Sequence, residues 1–438
     1  MHPTRRLTIL AALAALLVLA LAAVPSAHAA RGMEVALQDD PVFSSQAYYN
    51  REKALKLADK LEVTRLRVNV PWISVVNGAR SRTKPSRLTY AFNQYDALFN
   101  AARAHGIKLQ LSLTGPAPAW ATGNHRLGPY KPNAKLYADF VNATVSHFRG
   151  LVDRYSVWNE PNYVGWIAPL SSGPKIYRAL YVAGYSAAKK ADPSAQVLIA
   201  ETSPYFLPRR ATSPLAFLRG VTCTDRNFSH PRCGALKADG YAHHPYDFDH
   251  PPSYRYPGSD NATLRTLGNL TSALDKLSRS GALTDSSGNA LDVYLTEYGF
   301  FGTGHRRTSD RKRGAYTKQA FQMALSNPRV KEMLQYLLVA PTKRYAFFDT
   351  SIVSRRGKPT SAFTQLAKWA KAAAKAGKIA LKGQDGSAAA KSDAGGGGSG
   401  SGGGSGGGSG GSGGGTPAPG CAVPALPVVG CPVPAPAG

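Results

Sequence analysis

"FNQYDALFNAARAHGIKLQLSL", residues 92–113, joins two periodicities in one run. As far as Ala104 the apolar residues recur at helical spacing, and Gly106 stands where a helix C-cap belongs. "IKLQLSL", residues 107–113, then alternates as a strand does. The same unit recurs on both sides. Upstream lie the strand-like "GMEVALQ" (32–38), the helical "QAYYNREKALKLADKL" (46–61) and the strand-like "TRLRVNV" (64–70). Downstream, a helix at 133–148 precedes "YSVW" (155–158), and a helix at 174–191 precedes "QVLIA" (196–200). A short helix at 214–221 leads to "DGYAHH" (239–244), and a helix at 263–278 to "DVYLTEYG" (292–299). A helix at 315–326, "EMLQYLLVA" (332–340) and a helix at 360–374 complete the series. Eight strand–helix units predict an α/β fold, a (β/α)8 TIM barrel. An open doubly wound sheet would favour a Gly-rich phosphate loop after the first strand, and the sequence has none.

The chain has 438 residues, and its ends differ from its middle. Arg5 and Arg6, an apolar run from Leu7 to Val24 and the small-x-small triplet Ala27-His28-Ala29 predict a signal peptide over residues 1–29, cleaved before Ala30. The run is long for a leader, so an uncleaved membrane anchor is the alternative. Residues 30–390 form the predicted catalytic barrel, 391–415 a Gly/Ser-rich flexible linker, and 416–438 a Pro-rich tail. The chain is expected to be secreted, with a cell-surface association left open through its tail.

The 4 cysteines fall into two close pairs, Cys223 with Cys233 and Cys421 with Cys431. In an exported chain both pairs are expected as disulfides. No C-x-x-C spacing supports zinc, and no metal is expected. The formal net charge is +27, and no charged residue follows Asp393. Apart from Arg5 and Arg6, the excess therefore belongs to the barrel. Such a field draws anionic polymers, including those of cell walls, or serves solubility. No aromatic-interleaved basic motif points to nucleic acid.

In a parallel barrel the site forms at the C-terminal strand ends. There the fourth strand ends in "WNEPN", with Asn159 and Glu160, and the seventh in "TEYG", with Glu297. Two carboxylates facing one cavity suit glycosidic cleavage, in which one protonates the leaving oxygen and the other attacks or assists water. Pro161 is expected to keep Glu160 out of helix and extended at the rim.

"WNEPN" and "TEYG" in these places resemble glycoside hydrolase clan A, above all its cellulase-like family five and β-xylosidase-like family thirty-nine, over about Glu34 to Lys371. The resemblance implies a retaining enzyme with Glu160 as acid/base and Glu297 as nucleophile. It implies that Arg67 on the second strand, and the His244-x-Tyr246 of the sixth, support the nucleophile. His243 is the rival of His244, since alternation turns only one of the two inward. A general acid needs a raised pKa, and a nucleophile must stay ionised.

Asn159 is placed to bond a sugar hydroxyl. Trp120 and Trp166 are candidate stacking platforms for sugar rings, and Trp72 is equally well placed for the core. Many clan members carry a Trp on strand eight; here Gln335 or Tyr336 stands there, which unsettles any copied substrate. "GHRRTSDRKRG", residues 304–314, reads as a solvated basic loop, with binding of a uronate or sulfate as the alternative. The function expected is a secreted, monomeric retaining β-glycosidase acting on a polysaccharide or oligosaccharide without cofactor. A non-catalytic carbohydrate- or wall-binding barrel is the alternative.

Overall fold

A computed structural model describes residues 32–343 and 348–383. The leader, the linker, the tail and the Cys421–Cys431 pair lie outside the described residues. Eight parallel strands close a barrel: β1 (Glu34–Gln38), β2 (Arg65–Pro71), β3 (Lys108–Thr114), β4 (Arg154–Val157), β5 (Gln196–Thr202), β6 (Gly240–His243), β7 (Val293–Leu295) and β8 (Val330–Tyr336). Each strand pairs with its neighbours in sequence, and β8 pairs with β1. The longer helices between them are α1 (Arg51–Lys60), α2 (Asn93–Ala104), α3 (Ala134–His147), α4 (Gly173–Ala191), α5 (Pro214–Thr222), α6 (Leu267–Arg279) and α7 (Asp310–Leu325), with α8 (Ser361–Lys375) after the last strand. The (β/α)8 reading therefore holds. A two-stranded parallel sheet, Leu236–Lys237 with Leu283–Thr284, was not read from the sequence. Among the described residues no helix is long and apolar enough to cross a membrane.

Alternation along β2 shows how the barrel is filled. Leu66, Val68 and Val70 join the buried apolar core, while Arg65 and Arg67 are buried within ion-pair clusters. The barrel has a small apolar cluster of its own, Leu198, Ala242 and Tyr294. Tyr294 needs Gly240 beside it, because a Cβ there would lie 2.3 Å from the ring. Toward the strand starts, Arg65 pairs with Glu34 and Asp153, and Arg154 with Glu34 and Glu332. The other end carries the cleft.

Several boundaries moved for local reasons. Asn50 caps α1 by accepting from the Lys53 amide, so that helix starts later than residue 46. Helix α7 starts at Asp310, so Arg311, Lys312 and Arg313 belong to its first turn rather than to a loop. Arg313 is buried and bonds the Ser351 carbonyl, while Arg306 pairs with Asp249 and lies over the Phe248 ring at 5.1 Å. Of its basic residues and histidine, His305, Arg307, Arg311 and Lys312 are exposed while Arg306 and Arg313 are not, so the reading as one solvated loop was too simple. The Cys223–Cys233 disulfide is formed, at the left-handed C-cap of α5.

Candidate active site

Strand β4 ends at Val157, one residue short of the expected Trp158. Trp158 turns out of the strand at φ 71, and its buried indole donates to the Trp166 carbonyl at 3.0 Å. Glu160 follows at φ 36, so it is not extended. Pro161 excludes the helical conformation, and the tight turn then selects the left-handed region instead. The Glu160 amide donates to the Glu201 carbonyl at 3.0 Å, which ties this turn to the end of β5.

Glu297 stands two residues beyond β7, with its carboxylate oxygens held separately. Arg67 Nη1 donates to Oε1 at 2.8 Å, and the Tyr246 hydroxyl to Oε2 at 3.2 Å. Arg67 is fully buried and also donates through Nη2 to Asn159 Oδ1 at 2.7 Å and through Nη1 to Gln38 Oε1 at 2.5 Å. A guanidinium only donates, so it fixes the Asn159 carbonyl inward and leaves the amide NH2 for a ligand.

His244 is the inward histidine. Its Nδ1 lies 3.0 Å from Glu160 Oε1 and 3.6 Å from Glu297 Oε2, and its Nε2 lies 2.9 Å from Glu201 Oε2. Burial alone would lower its pKa, but the charge of Glu297 and the hydrogen bonds of Glu160 and Glu201 outweigh that and hold it at about 9. His243 packs the other way, between Thr202 and the Ala262 carbonyl, and burial pushes it down to about 4. One oxygen each of Glu160 and Glu297 and one nitrogen of His244 lie within 4.8 Å of one another. That spacing could hold a cation, but both ring nitrogens already face carboxylates, and an imidazolium has no lone pair to offer.

Burial raises the Glu297 carboxyl, and Glu160 and Glu201 add to the rise against the pull of His244 and Arg67. The sequence reading had assigned the raised group to the acid and not to the nucleophile. Two donors aimed at separate oxygens nevertheless suit an ionised Glu297.

A cleft of about 680 Å³ opens over the pair. Trp166, Tyr205, Tyr246, Phe248, Tyr336 and Phe348 form most of its wall, and Asn69, Asn159 and Ser203 are its neutral polar points. Tyr336 thus stands where strand eight lacks a Trp. Gln335 turns away and donates to the Tyr336 and Thr350 carbonyls. Trp120 is a correction: its buried indole donates to the Gly78 carbonyl and packs edge-on against Trp72, away from the cleft lining. Trp72 is likewise core.

Solved structures share this architecture. A family 39 glycoside hydrolase from Bacteroides cellulosilyticus WH2 matches with TM-score 0.56 and 17% identity, covering 78% of this chain and 64% of that one. A monomeric β-xylosidase from Caulobacter crescentus CB15 matches at 0.51 and 17%, over 77% and 67%. GH5_18 from Streptomyces cattleya, solved with GlcNAc, matches at 0.53 and 15%, over 81% and 83%. The resemblance to clan A thus recurs in the fold. At such identities the likeness is one of fold, and this chain spans less than two thirds of the first neighbour. No protein-family model and no curated protein sequence matches the chain.

The sequence reading missed Glu201, because the fifth strand was ended at Ala200. The available signal was a carboxylate in "AETS" at a strand end, as with Glu160 and Glu297.

Proposed function

We propose that this protein is a retaining β-glycosidase that cleaves O-glycosidic bonds of a polysaccharide or oligosaccharide by double displacement. The observation that carries the proposal is the pair of carboxylates with oxygens within 4.8 Å of each other beneath an aromatic-walled cleft. Retaining enzymes hold their carboxyls about 5–5.5 Å apart, whereas inverting ones leave about 6.5–9.5 Å for a water. Glu160 protonates the glycosidic oxygen while Glu297 attacks the anomeric carbon, forming a glycosyl ester and releasing the aglycone. Glu160 then takes a proton from water, which attacks the same carbon and frees Glu297. Arg67 and Tyr246 hold Glu297 aimed, the Asn159 amide meets a hydroxyl beside the reacting carbon, and Trp166 offers its face to a ring. These groups complete the reaction without a cofactor, and the chain acts as a monomer.

The test is a panel of plant, fungal and bacterial polysaccharides and oligosaccharides, with product sizing and NMR of the first-formed anomer. Hydrolysis with retained configuration is expected. Inversion would refute double displacement. Binding without hydrolysis would favour the carbohydrate-binding barrel.

Export belongs to the same proposal, and its support is the leader pattern in the sequence. Mass spectrometry of secreted protein is expected to find Ala30 at the N-terminus. A membrane-bound product starting at Met1 would identify an anchor instead.

A further inference from the structure

We propose that Glu201 is a positioning residue that keeps His244 as a doubly donating imidazolium bridge to Glu160, and thereby sets the pH range in which the Glu160–Glu297 pair works. This rests on the reading of that pair as catalytic.

The backbone is built to place this side chain. Ala200 and Glu201 take φ 92 and φ 50, and the pairing of β5 with β6 shifts register between Ala200 and Thr202. An irregularity of this kind re-aims a side chain, and non-glycine residues at positive φ persist only where their surroundings enforce it. The Tyr177 hydroxyl accepts from the Ala200 amide at 2.6 Å. The Glu201 carbonyl holds the Glu160 amide, so main chain and side chain both lead from Glu201 to Glu160.

Glu201 is fully buried and does not line the cleft, so it acts through its neighbours. Its Oε1 accepts from Arg67 Nε at 3.2 Å, and its Oε2 from His244 and from the hydroxyl of Thr296, the residue before Glu297. Burial would raise this carboxyl, but Arg67 and His244 hold it at about 2. It is therefore a permanent anion. His244 then has a carboxylate opposite each ring nitrogen, and a neutral ring would turn a lone pair toward one of them. The groups facing His244 are Glu160, Glu201 and Glu297, with the Tyr246 ring near-perpendicular to its own and His243, the adjacent residue, kept neutral by burial.

In Glu201→Gln the amide keeps a hydrogen-bonding contact with Arg67 but loses the charge. The His244 proton is then released at lower pH, and with it goes the positive charge that faces both carboxyls, at 3.0 Å from Glu160 and 3.6 Å from Glu297. Glu297, which the His244 charge helps to keep ionised, becomes harder to ionise, so the pH–rate profile moves upward.

The test uses NMR of the imidazole nitrogens of the full chain, with His244 assigned by its loss in His244→Asn, and kcat/KM against pH on an aryl glycoside that the wild type turns over. His244 is expected to be charged at pH 8 in the wild type and to titrate more than one pH unit lower in Glu201→Gln. At neutral pH kcat/KM is expected to fall about tenfold to a hundredfold, the size of one lost charge-assisted hydrogen bond. Glu201→Asp, which keeps the charge, is expected to restore the histidine titration. A neutral His244 at pH 8 in the wild type overturns the proposal whatever becomes of the variants. An unmoved titration in folded Glu201→Gln overturns it too. If the wild type cleaves no glycoside, the functional reading fails, while the titration still decides the role of Glu201.

Discussion

Glu297→Ala is expected to lower turnover by a factor on the order of 10⁴ to 10⁶, the scale found when a covalent nucleophile is removed. The cavity left behind has room for a small anion. Azide added to this variant can attack only from the side Glu297 occupied, so any product it yields carries inverted configuration. Glu160→Ala is expected to behave differently. The loss of a general acid costs about 10² to 10⁴, and the cost depends on the leaving group. A good leaving group departs without the proton, so the glycosyl ester on Glu297 still forms and accumulates as a burst. Azide then opens the ester from the face that Glu160 guarded and gives a glycosyl azide of retained configuration. The two variants thus yield opposite anomers with the same reagent, which chiral-centre NMR distinguishes. Wild-type rates in both would show that the chemistry lies elsewhere. The same azide product from both would show that the roles are wrongly assigned.

The barrel was legible because its two periodicities are cleanly separated in this chain. Strand β2 shows why: every second residue of "RLRVNV" is apolar and packs outward, so the run reads as a strand although its inner face carries Arg65 and Arg67. Glu160 and Glu297 were legible because each lies just past a strand and within two residues of a breaker, Pro161 or Gly299. Partners that depend on angle were not legible. The spacing of "YAHHPYD" left His243 and His244 equal, and only pairing with β5 and β7 decides which ring meets the carboxylates. Trp120 was misjudged because a Trp near a strand end can turn to the cleft or to the core. The carbonyl of Gly78, forty-two positions away, settles that choice. Glu201 was hidden by an irregularity that breaks alternation at the position where alternation was being used to read the strand.

Arg67→Met is expected to cost about 3–5 kcal/mol of folding stability at pH 8, the penalty for leaving buried charge uncompensated. Arg67 is fully buried and, among the described residues, is the one cation that touches Glu201, Glu297 and Asn159 together. Methionine fills part of the volume but answers none of those oxygens. Its pH dependence separates this cause from loss of packing. In the wild type the Glu201 carboxyl is held near 2 against an ordinary 4.5, so its contribution is present above 4.5 and is lost as pH falls toward 2. Without Arg67 burial prevails, and the folded state then binds the proton more tightly than the unfolded chain does. The sign reverses, and the variant recovers part of its deficit as the pH is lowered. His244 works in the other direction: held at about 9 against an ordinary 6.5, it contributes stability below 6.5 that is lost as pH rises through 9. Urea unfolding of both proteins at pH 5 and pH 8 measures the difference. A deficit clearly smaller at pH 5 is expected. An equal deficit at both values would mean that Arg67 is held for its shape, and that the three carboxylates around His244 do not depend on its charge.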